Sequence, residues 1–138
     1  MFLLDTNIIS ELRRARPHGA VVAWIEAQHD SALHLSAVTL GEIQAGIEIT
    51  RTRDASRADE LDAWADDLAA VWNILPVDAA VYRLWAKLMH KQGQHLYEDA
   101  LIAATAKLHG FTVATRNVVD FAGFNIPTVN PFEFSGSV

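Results

Sequence analysis

Four acidic residues occupy positions in this sequence where a carboxylate is more than an ordinary surface group. They are Asp5, Glu42, Asp99 and Asp120. Each one follows a predicted strand or lies early in a predicted helix, and in an α/β fold this is the edge where ligands bind. If the four carboxylates converge, their repulsion must be neutralised, and hard cations such as Mg²⁺ or Mn²⁺ do this through oxygen ligands. Two such ions about 4 Å apart activate a water and stabilise the leaving oxygen in phosphodiester hydrolysis.

Each of these acids also has a purely structural explanation at a helix start. The capping alternatives are Asp5-Thr6-Asn7 before the first helix, a capping box from Thr39 to Glu42, the first-turn pair Glu98 and Asp99, and a cap pair of Asn117 with Asp120. Such residues satisfy free N–H groups or complement the helix dipole. Capping explains each acid singly, but it does not explain why all four fall at strand ends or helix starts.

The sequence contains no motif that indicates another catalytic chemistry. The chain has no cysteine, and it contains no G-x-S-x-G elbow, Walker loop or dinucleotide fingerprint. The six histidines lie mostly near predicted helix ends or turns, where capping or solvated roles are ordinary. Two alternatives stay open. One is phosphotransfer at Asp5, as in haloacid-dehalogenase-like phosphatases, although Asn7 stands where those enzymes carry a second aspartate; the other is a binding module without catalysis.

The acids must be positioned by strands and helices that alternate along the chain. The predicted strands are residues 2–4, 32–35, 73–77, 111–115 and, at the edge of the sheet, 126–129. The predicted helices are residues 8–13, 20–28, 38–50, 61–72, a segment capped by Asp78 that ends near Gln92, and 98–109, which is ended by Gly110. This alternation predicts a parallel sheet that helices cover on both faces.

Length and composition predict one globular domain over residues 1–138, with a loosely held tail at 133–138. Of the 138 residues, 51% are hydrophobic and 20% are charged, which excludes a disordered chain. The formal net charge of −6 gives no bulk attraction for nucleic acid, so an RNA or DNA ligand would need bound cations or a local basic patch. Without cysteines, a visible secretory signal or a membrane-spanning run, we expect a reducing cytoplasm and no membrane association.

Four motifs of the sequence resemble those of PIN-domain ribonucleases. Residues 3–7 (LLDTN) resemble the first motif, residues 36–43 (SAVTLGEI) the second, and residues 99–106 (DALIAATA) with 113–121 (VATRNVVDF) the third and fourth. Their order, their spacing and the chain length are similar to the VapC and FitB branch, the toxins of type II toxin–antitoxin pairs. The resemblance implies a three-layer α/β/α PIN-like domain with a mostly parallel central sheet.

The resemblance also implies an activity, that of a Mg²⁺- or Mn²⁺-dependent endoribonuclease. Its acidic site would comprise Asp5, Glu42, Asp99 and Asp120. By position in the motifs, Asp5 and Asp99 would be direct metal ligands. Glu42 and Asp120 would hold metal-bound water or a second ion.

Supporting residues and partners follow from the same resemblance. The supporting residues would be Asn7, Thr115, Arg116 and Asn117. Asn7 would orient Asp5 or a water, Thr115 is similar to the family's small hydroxyl residue, and Arg116 or Asn117 would meet phosphate. The family also implies a homodimer, an RNA substrate and a cognate antitoxin, DNA-binding and VapB- or FitA-like, whose tail lies in a groove beside the acids. The helices 61–72 and 81–89, which carry tryptophans, would supply apolar surface for the dimer or the antitoxin.

Overall fold

A parallel sheet of five short strands organises residues 1–136, the part of the chain that the computed structural model describes. The strands are β1 (Phe2–Leu4), β2 (Leu33–Ser36), β3 (Asn73–Leu75), β4 (Thr112–Ala114) and β5 (Thr128–Val129). Their order across the sheet is β3-β2-β1-β4-β5, and all four pairings are parallel. The prediction of a parallel sheet with its last strand at one edge is confirmed.

Seven α-helices surround this sheet within the described residues. They are α1 (Thr6–Leu12), α2 (Gly19–Glu26), α3 (Ala37–Arg51), α4 (Ala55–Val71), α5 (Ala79–Met89), α6 (Tyr97–His109) and α7 (Val118–Phe121). Asp78 accepts a hydrogen bond from Val81 N and caps α5 as predicted. Gly110 adopts the left-handed conformation with φ 70°, which a side chain disfavours, and ends α6 as predicted. No helix within residues 1–136 is long and apolar enough to cross a bilayer.

Buried side chains on both faces of β1 create the three layers. Leu3 packs with Ala100 and Ile102 of α6 on one face of the sheet. Leu4 packs with Ile8 of α1 and Ile43 of α3 in a separate core on the other face. Because successive residues of a strand point to opposite faces, a strand buried on both faces must be apolar at every position. The three-layer α/β/α arrangement is therefore confirmed.

The end of the chain differs from the prediction of a loosely held tail at residues 133–138. Pro131–Glu133 form a short 3₁₀ helix, and Asn130 caps it by accepting from Phe132 N. Phe134 then packs against the core that contains Leu4. The rings of Phe132 and Phe134 both pack against this core and hold the segment on the domain. Residues 137 and 138 lie outside the described residues.

The strand order places a natural ligand crevice at the ends of β1 and β4. From β1 the chain moves outward through β2 and β3, and then returns to the other side of β1 to form β4. At such a switch point the connections leave in opposite directions, so the carboxyl ends of the two strands open into a crevice. Asp5 follows β1 and Thr115 follows β4, which places both residues at this crevice.

Candidate active site

Asp5 lies at the centre of the crevice and is only 5% exposed. Its backbone N–H donates to the carbonyl of Ala114 at 2.8 Å, which continues the ladder between β1 and β4 by one residue. Its backbone then turns directly into α1. The buried position of the carboxylate is therefore set by the sheet rather than by a mobile loop.

Three hydrogen bonds hold the Asp5 carboxylate in one orientation. Thr6 N donates to Oδ1 at 2.8 Å, as a helix cap does. The Thr115 hydroxyl donates to Oδ2 at 2.8 Å, and Asn7 Nδ2 donates to the same oxygen at 3.2 Å. The capping alternative therefore accounts for one oxygen of Asp5, whereas the second oxygen is held by side chains from β4 and α1.

Glu42 is bound to the same region by Thr6 and does not form the predicted capping box. Ser36, which accepts from Val38 N, caps α3, so Thr39 lies inside the first turn and not at the cap. The Thr6 hydroxyl donates to Glu42 Oε1 at 2.9 Å and lies 3.1 Å from the hydroxyl of Thr39. The capping-box alternative for Glu42 is thus wrong, and the carboxylate is turned towards α1.

The pKa values of three acids are raised, which shows that burial and like charge meet at this edge. Burial is the main reason that the pKa of Asp5 is raised; the charge of Asp120 adds to the rise, while the three hydrogen bonds oppose it. Burial also raises the pKa of Glu42 against the hydrogen bond from Thr6, with the charges of Asp5 and Glu98 adding to the effect.

The pKa of Asp99 is raised most, first by burial and then by the charge of every other acid of the site. It lies in the first turn of α6 and is half-buried. Burial raises its pKa from 3.8 to about 7, followed by repulsion from four further carboxylates. In order of effect, these are Asp5, Asp120, Glu42 and Glu98. Five carboxylates therefore interact electrostatically across the crevice. We call them the acidic rim: Asp5, Glu42, Glu98, Asp99 and Asp120.

None of the ion pairs formed among residues 1–136 includes an acid of the acidic rim. No three Asp, Glu, His or Cys side chains of these residues are arranged tightly enough to hold a metal ion by themselves. Mg²⁺ typically takes only one or two direct carboxylates and keeps several waters. The oxygen-only donor set and the uncompensated repulsion therefore fit a hydrated hard cation better than an ion enclosed by protein ligands.

The structure brings the four predicted supporting residues to the crevice, although in different roles. Thr115 is buried, and its hydroxyl also accepts from Asn117 N at 2.9 Å. Asn7 accepts from Arg116 N at 3.3 Å. The Arg116 guanidinium lies 4.5 Å from the centroid of the Phe132 ring, so that its side chain stacks on the C-terminal segment. A phosphate contact by Arg116 or Asn117 stays a prediction.

Asp120 differs from the other predicted acids because it is exposed. It lies in the short helix α7, where Asn117 makes no side-chain cap, so the predicted cap pair does not form. Its backbone N–H donates to the carbonyl of Asn117 at 3.0 Å. Its charge nevertheless reaches Asp5 and Asp99, which places it at the outer side of the crevice.

Three residues of the site were not predicted as functional from the sequence. Thr6 and Thr39 connect Glu42 to α1, and Glu98 adds a fifth negative charge. Thr6 follows Asp5 in the sequence, so its hydroxyl is easily interpreted as part of the helix cap. Glu98 stands next to Asp99, where it is easily assigned to the helix dipole. Adjacent acids at the start of an otherwise apolar helix would have been the useful signal.

A groove of about 270 Å³ adjoins the acidic rim at Thr6 and Glu42 and is lined by α1, α3 and α4. Near its far end the Arg13 guanidinium lies 5.5 Å from the centroid of the Trp64 ring. A larger groove of about 870 Å³ follows the edge strand β3, but no rim acid lines it. Charge and hydrogen bonding, rather than cavity size, therefore identify the site.

Comparisons with known proteins agree with this geometry. The model of the family described as PIN domain matches residues 2–122. The chain is 38% identical to the VapC ribonuclease Y4jK of Sinorhizobium fredii and 35% identical to the toxin FitB of Neisseria gonorrhoeae. Each alignment covers 96% of this chain and 99% of the relative. A solved structure of FitAB bound to an IR36 DNA fragment superposes with a TM-score of 0.84 at 32% identity, covering 97% of each chain.

Proposed function

Because this chain belongs to the PIN-domain family, we propose that it is a Mg²⁺- or Mn²⁺-dependent endoribonuclease that hydrolyses phosphodiester bonds of RNA. We further propose that it is the toxin of a toxin–antitoxin pair and is inhibited by a cognate antitoxin. Relatives that match nearly its whole length are named a ribonuclease and a toxin. An RNA substrate also fits the cytoplasm expected for a chain without cysteines.

The observation that supports this proposal most directly is the acidic rim, whose carboxylates form no ion pair with the side chains of residues 1–136. Folding brings carboxylates from four separate segments together and buries Asp5 among them. Bringing like charges together in this way is costly unless a positive group enters the crevice. A nuclease that works with divalent cations can bind them at this arrangement of carboxylates. A purely structural role gives no reason to bring the carboxylates together.

The residues present fit a hard divalent cation through the chemistry of their donors. Asp5 and Asp99 would hold it, and Glu42 and Asp120 would complete the negative charge around it. Bound there, such a cation would supply an activated water and stabilise the leaving oxygen of the cleaved phosphodiester.

The protein's own contribution is to keep the carboxylates oriented before the substrate arrives. Thr115 and Asn7 fix one oxygen of Asp5, and Thr6 N fixes the other. The Thr6 hydroxyl holds Glu42 in turn. Partners of this kind are worth about 10- to 100-fold in metal affinity or activity in metalloenzymes, because they remove the freedom of the ligating groups.

The antitoxin proposal is supported by the groove that adjoins the rim. Because the groove joins apolar side chains such as Ile43 and Trp64 to the carboxylate of Glu42, an amphipathic segment ending in a basic side chain suits it. The solved FitAB structure is a complex on a DNA fragment. We therefore propose a DNA-binding antitoxin of the VapB or FitA kind, together with a homodimer of this chain.

Asp5→Asn tests the nuclease proposal, with Asp62→Asn on α4 as the matched control. We expect Asp5→Asn to lower cleavage of total cellular RNA in Mg²⁺ or Mn²⁺ at least about a hundred-fold while the circular dichroism spectrum is retained, since even outer partners of a metal count for about 10- to 100-fold. Asp62→Asn makes the same change on the surface and should cleave normally. Equal cleavage by both variants would show that the site is wrong.

Titration calorimetry with Mn²⁺ tests the metal separately. We expect binding by the wild-type protein, weaker binding by Asp5→Asn and no change for Asp62→Asn. Undetectable binding by the wild type together with absent RNA cleavage would favour the alternative of a non-catalytic module. Covalent labelling of Asp5 by a small phosphodonor would favour phosphotransfer.

A further inference from the structure

Next to the acidic rim, α5 and the start of α6 expose aromatic and basic side chains together. Tyr82 is 47% exposed and Tyr97 is 42% exposed, and Trp85 lies between them with ring centroids at 6.1 Å and 4.7 Å. Arg83 and Lys87 are exposed one turn apart on α5. We call these residues the aromatic–basic strip: Tyr82, Arg83, Trp85, Lys87 and Tyr97.

The strip connects α5 to the start of α6, where two of the rim acids lie. Trp85 Nε1 donates to the carbonyl of Tyr97 at 3.2 Å, which joins α5 to the first residue of α6. The next two residues, Glu98 and Asp99, belong to the acidic rim. A chain lying along the strip would therefore end at Tyr97, the residue that directly precedes these two rim acids.

The charge of the strip is opposite to that of the protein as a whole. Residues 79–97 contain Arg83, Lys87 and Lys91 but no Asp or Glu, although the chain carries 17 acids and a net charge of −6. Within residues 1–136, no ion pair involves these three cations. A surface of positive charge interleaved with aromatic rings binds single-stranded nucleic acid, because rings stack on bases and cations meet phosphates.

We propose that the aromatic–basic strip is the RNA-binding subsite that feeds unpaired nucleotides into the acidic rim. This inference rests on the proposed nuclease function and adds the surface along which unpaired RNA approaches the acidic rim. Tyr97, Trp85 and Tyr82 stack on bases, and Arg83 and Lys87 neutralise the backbone. A second copy of the chain is a poorer occupant, because a two-fold interface sets the same patch of both copies face to face, and this patch carries cations but no acid to pair with them.

Binding of a labelled single-stranded oligoribonucleotide, measured by fluorescence anisotropy, tests the aromatic part. The measurements use the full chain carrying Asp5→Asn, so that the RNA is not cut. We expect Tyr97→Leu and Tyr82→Leu each to weaken binding about tenfold, within the range found for loss of one stacked base. Tyr97→Phe and Tyr82→Phe keep the rings and should bind normally. An RNA duplex of the same sequence should bind weakly and respond little to any of these changes.

Lys87→Glu tests the basic part against Lys107→Glu, an equally exposed lysine at the other end of α6. Each phosphate contact on a single strand contributes about 0.7 to the slope of log affinity against log salt concentration. We expect Lys87→Glu to lower that slope by at least this amount and Lys107→Glu to leave it unchanged. Equal slopes for both variants would overturn the basic part of the subsite.

The outcomes separate the strip from the nuclease proposal. If the wild type cleaves RNA and the strip variants bind and cleave equally well, the strip is overturned while the nuclease stands. If the strip variants lose RNA binding but the wild type cleaves nothing, the strip stands and the nuclease fails. If Tyr82→Leu instead converts a dimer to a monomer in sedimentation with RNA affinity unchanged, the surface is an interface between copies and the proposal is overturned.

Discussion

Two acidic clusters of this molecule contain carboxylates whose pKa values are shifted in opposite directions, although both clusters are built from Asp and Glu. Between α3 and α4, Glu48, Asp59 and Asp62 surround Arg51, and all three accept hydrogen bonds from its guanidinium. The pKa of Asp62 is lowered, first by a hydrogen bond from Gln44 and then by Arg51. In the acidic rim, by contrast, the pKa of Asp99 rises to about 7. We call the first group the Arg51 cluster.

The difference lies in whether the chain supplies its own cation. The Arg51 cluster is neutralised internally, and its hydrogen bonds raise the pKa of Arg51 in return. Among residues 1–136, the hydrogen bonds that the acidic rim accepts come from neutral donors, namely hydroxyls, an amide and a backbone N–H. Neutral donors orient a carboxylate but leave its charge, and perturbed carboxylates in a crevice are typical of functional sites. The charge of the rim is therefore left for a cation from outside the chain to neutralise.

Asp99→Asn and Asp62→Asn should separate the two clusters most strongly, in RNA cleavage. We expect the first change to lower the cleavage rate at least about a hundred-fold, because it removes a proposed direct ligand of the cation, and even outer partners of a metal count for about 10- to 100-fold. The second should leave the rate unchanged. Comparable losses for both variants in a gel assay with Mg²⁺ would mean that the rim is no more catalytic than the surface.

Thr115→Val should have the next largest effect, with Thr105→Val as its control. Both threonines are buried and donate one hydrogen bond, Thr115 to Asp5 Oδ2 and Thr105 to the carbonyl of Leu101. Both changes should lower stability, by about 1–3 kcal/mol for each buried hydrogen bond that is lost, and Thr115→Val should lower it more because the Thr115 hydroxyl also accepts from Asn117 N. Only Thr115→Val should also lower cleavage, about 10- to 100-fold. Cleavage rates and urea midpoints measured on both variants would show whether activity follows the carboxylate or merely the fold.

The sequence predicted the sheet and four of the five rim acids because both rest on local patterns. The apolar run before Asp5 favours a buried strand, and strands alternating with helices imply parallel pairing with carboxyl ends on one edge. Gly110 and Asp78 marked helix ends because their backbone and capping chemistry is specific. These features need no knowledge of distant contacts.

The parts that the sequence could not predict depend on contacts between distant segments. Thr39 and Glu42 satisfy the capping-box pattern, yet Ser36 takes the cap and Glu42 bonds to Thr6, 36 positions earlier. Phe134 looks like part of a polar tail until the core that it packs against is known. Glu98 likewise becomes part of the rim only once α6 lies beside Asp5. The sequence therefore identified four of the rim acids and two side chains that bind the Asp5 carboxylate, Asn7 and Thr115. It did not identify the contact between Thr6 and Glu42.

The metal-free protein should become less stable as the pH rises, which is a smaller effect than loss of activity. Unfolded aspartate binds its proton up to about 3.8, whereas folded Asp99 binds it up to about 7. Between these values the folded state holds more protons, so the free energy of unfolding falls with rising pH. The raised pKa values of Asp5 and Glu42 act in the same direction. Melting temperatures in a chelator should fall across this window.

Two additions to this melting experiment sharpen the comparison of the clusters. Asp99→Asn should flatten the decline and raise the melting temperature at neutral pH, since it removes one of the repelling charges. Mg²⁺ or Mn²⁺ should raise the wild-type melting temperature at neutral pH, because a ligand that binds only the folded state stabilises it. Asp62→Asn should not change the response to metal. A melting temperature that rises with pH in the chelator would contradict the shifts in the rim.

The smallest effect should come from Arg51→Met, which removes the cation of the Arg51 cluster. Exposed ion pairs contribute little because water and salt screen them, so we expect a slight loss of stability in urea that shrinks as the salt concentration rises. Glu48, Asp59 and Asp62 would then repel one another as the rim acids do, but they are surrounded by water rather than buried. RNA cleavage should be unchanged. If Arg51→Met destabilised the protein more than Thr105→Val does, the Arg51 cluster would be a structural centre of the fold and not a screened surface network.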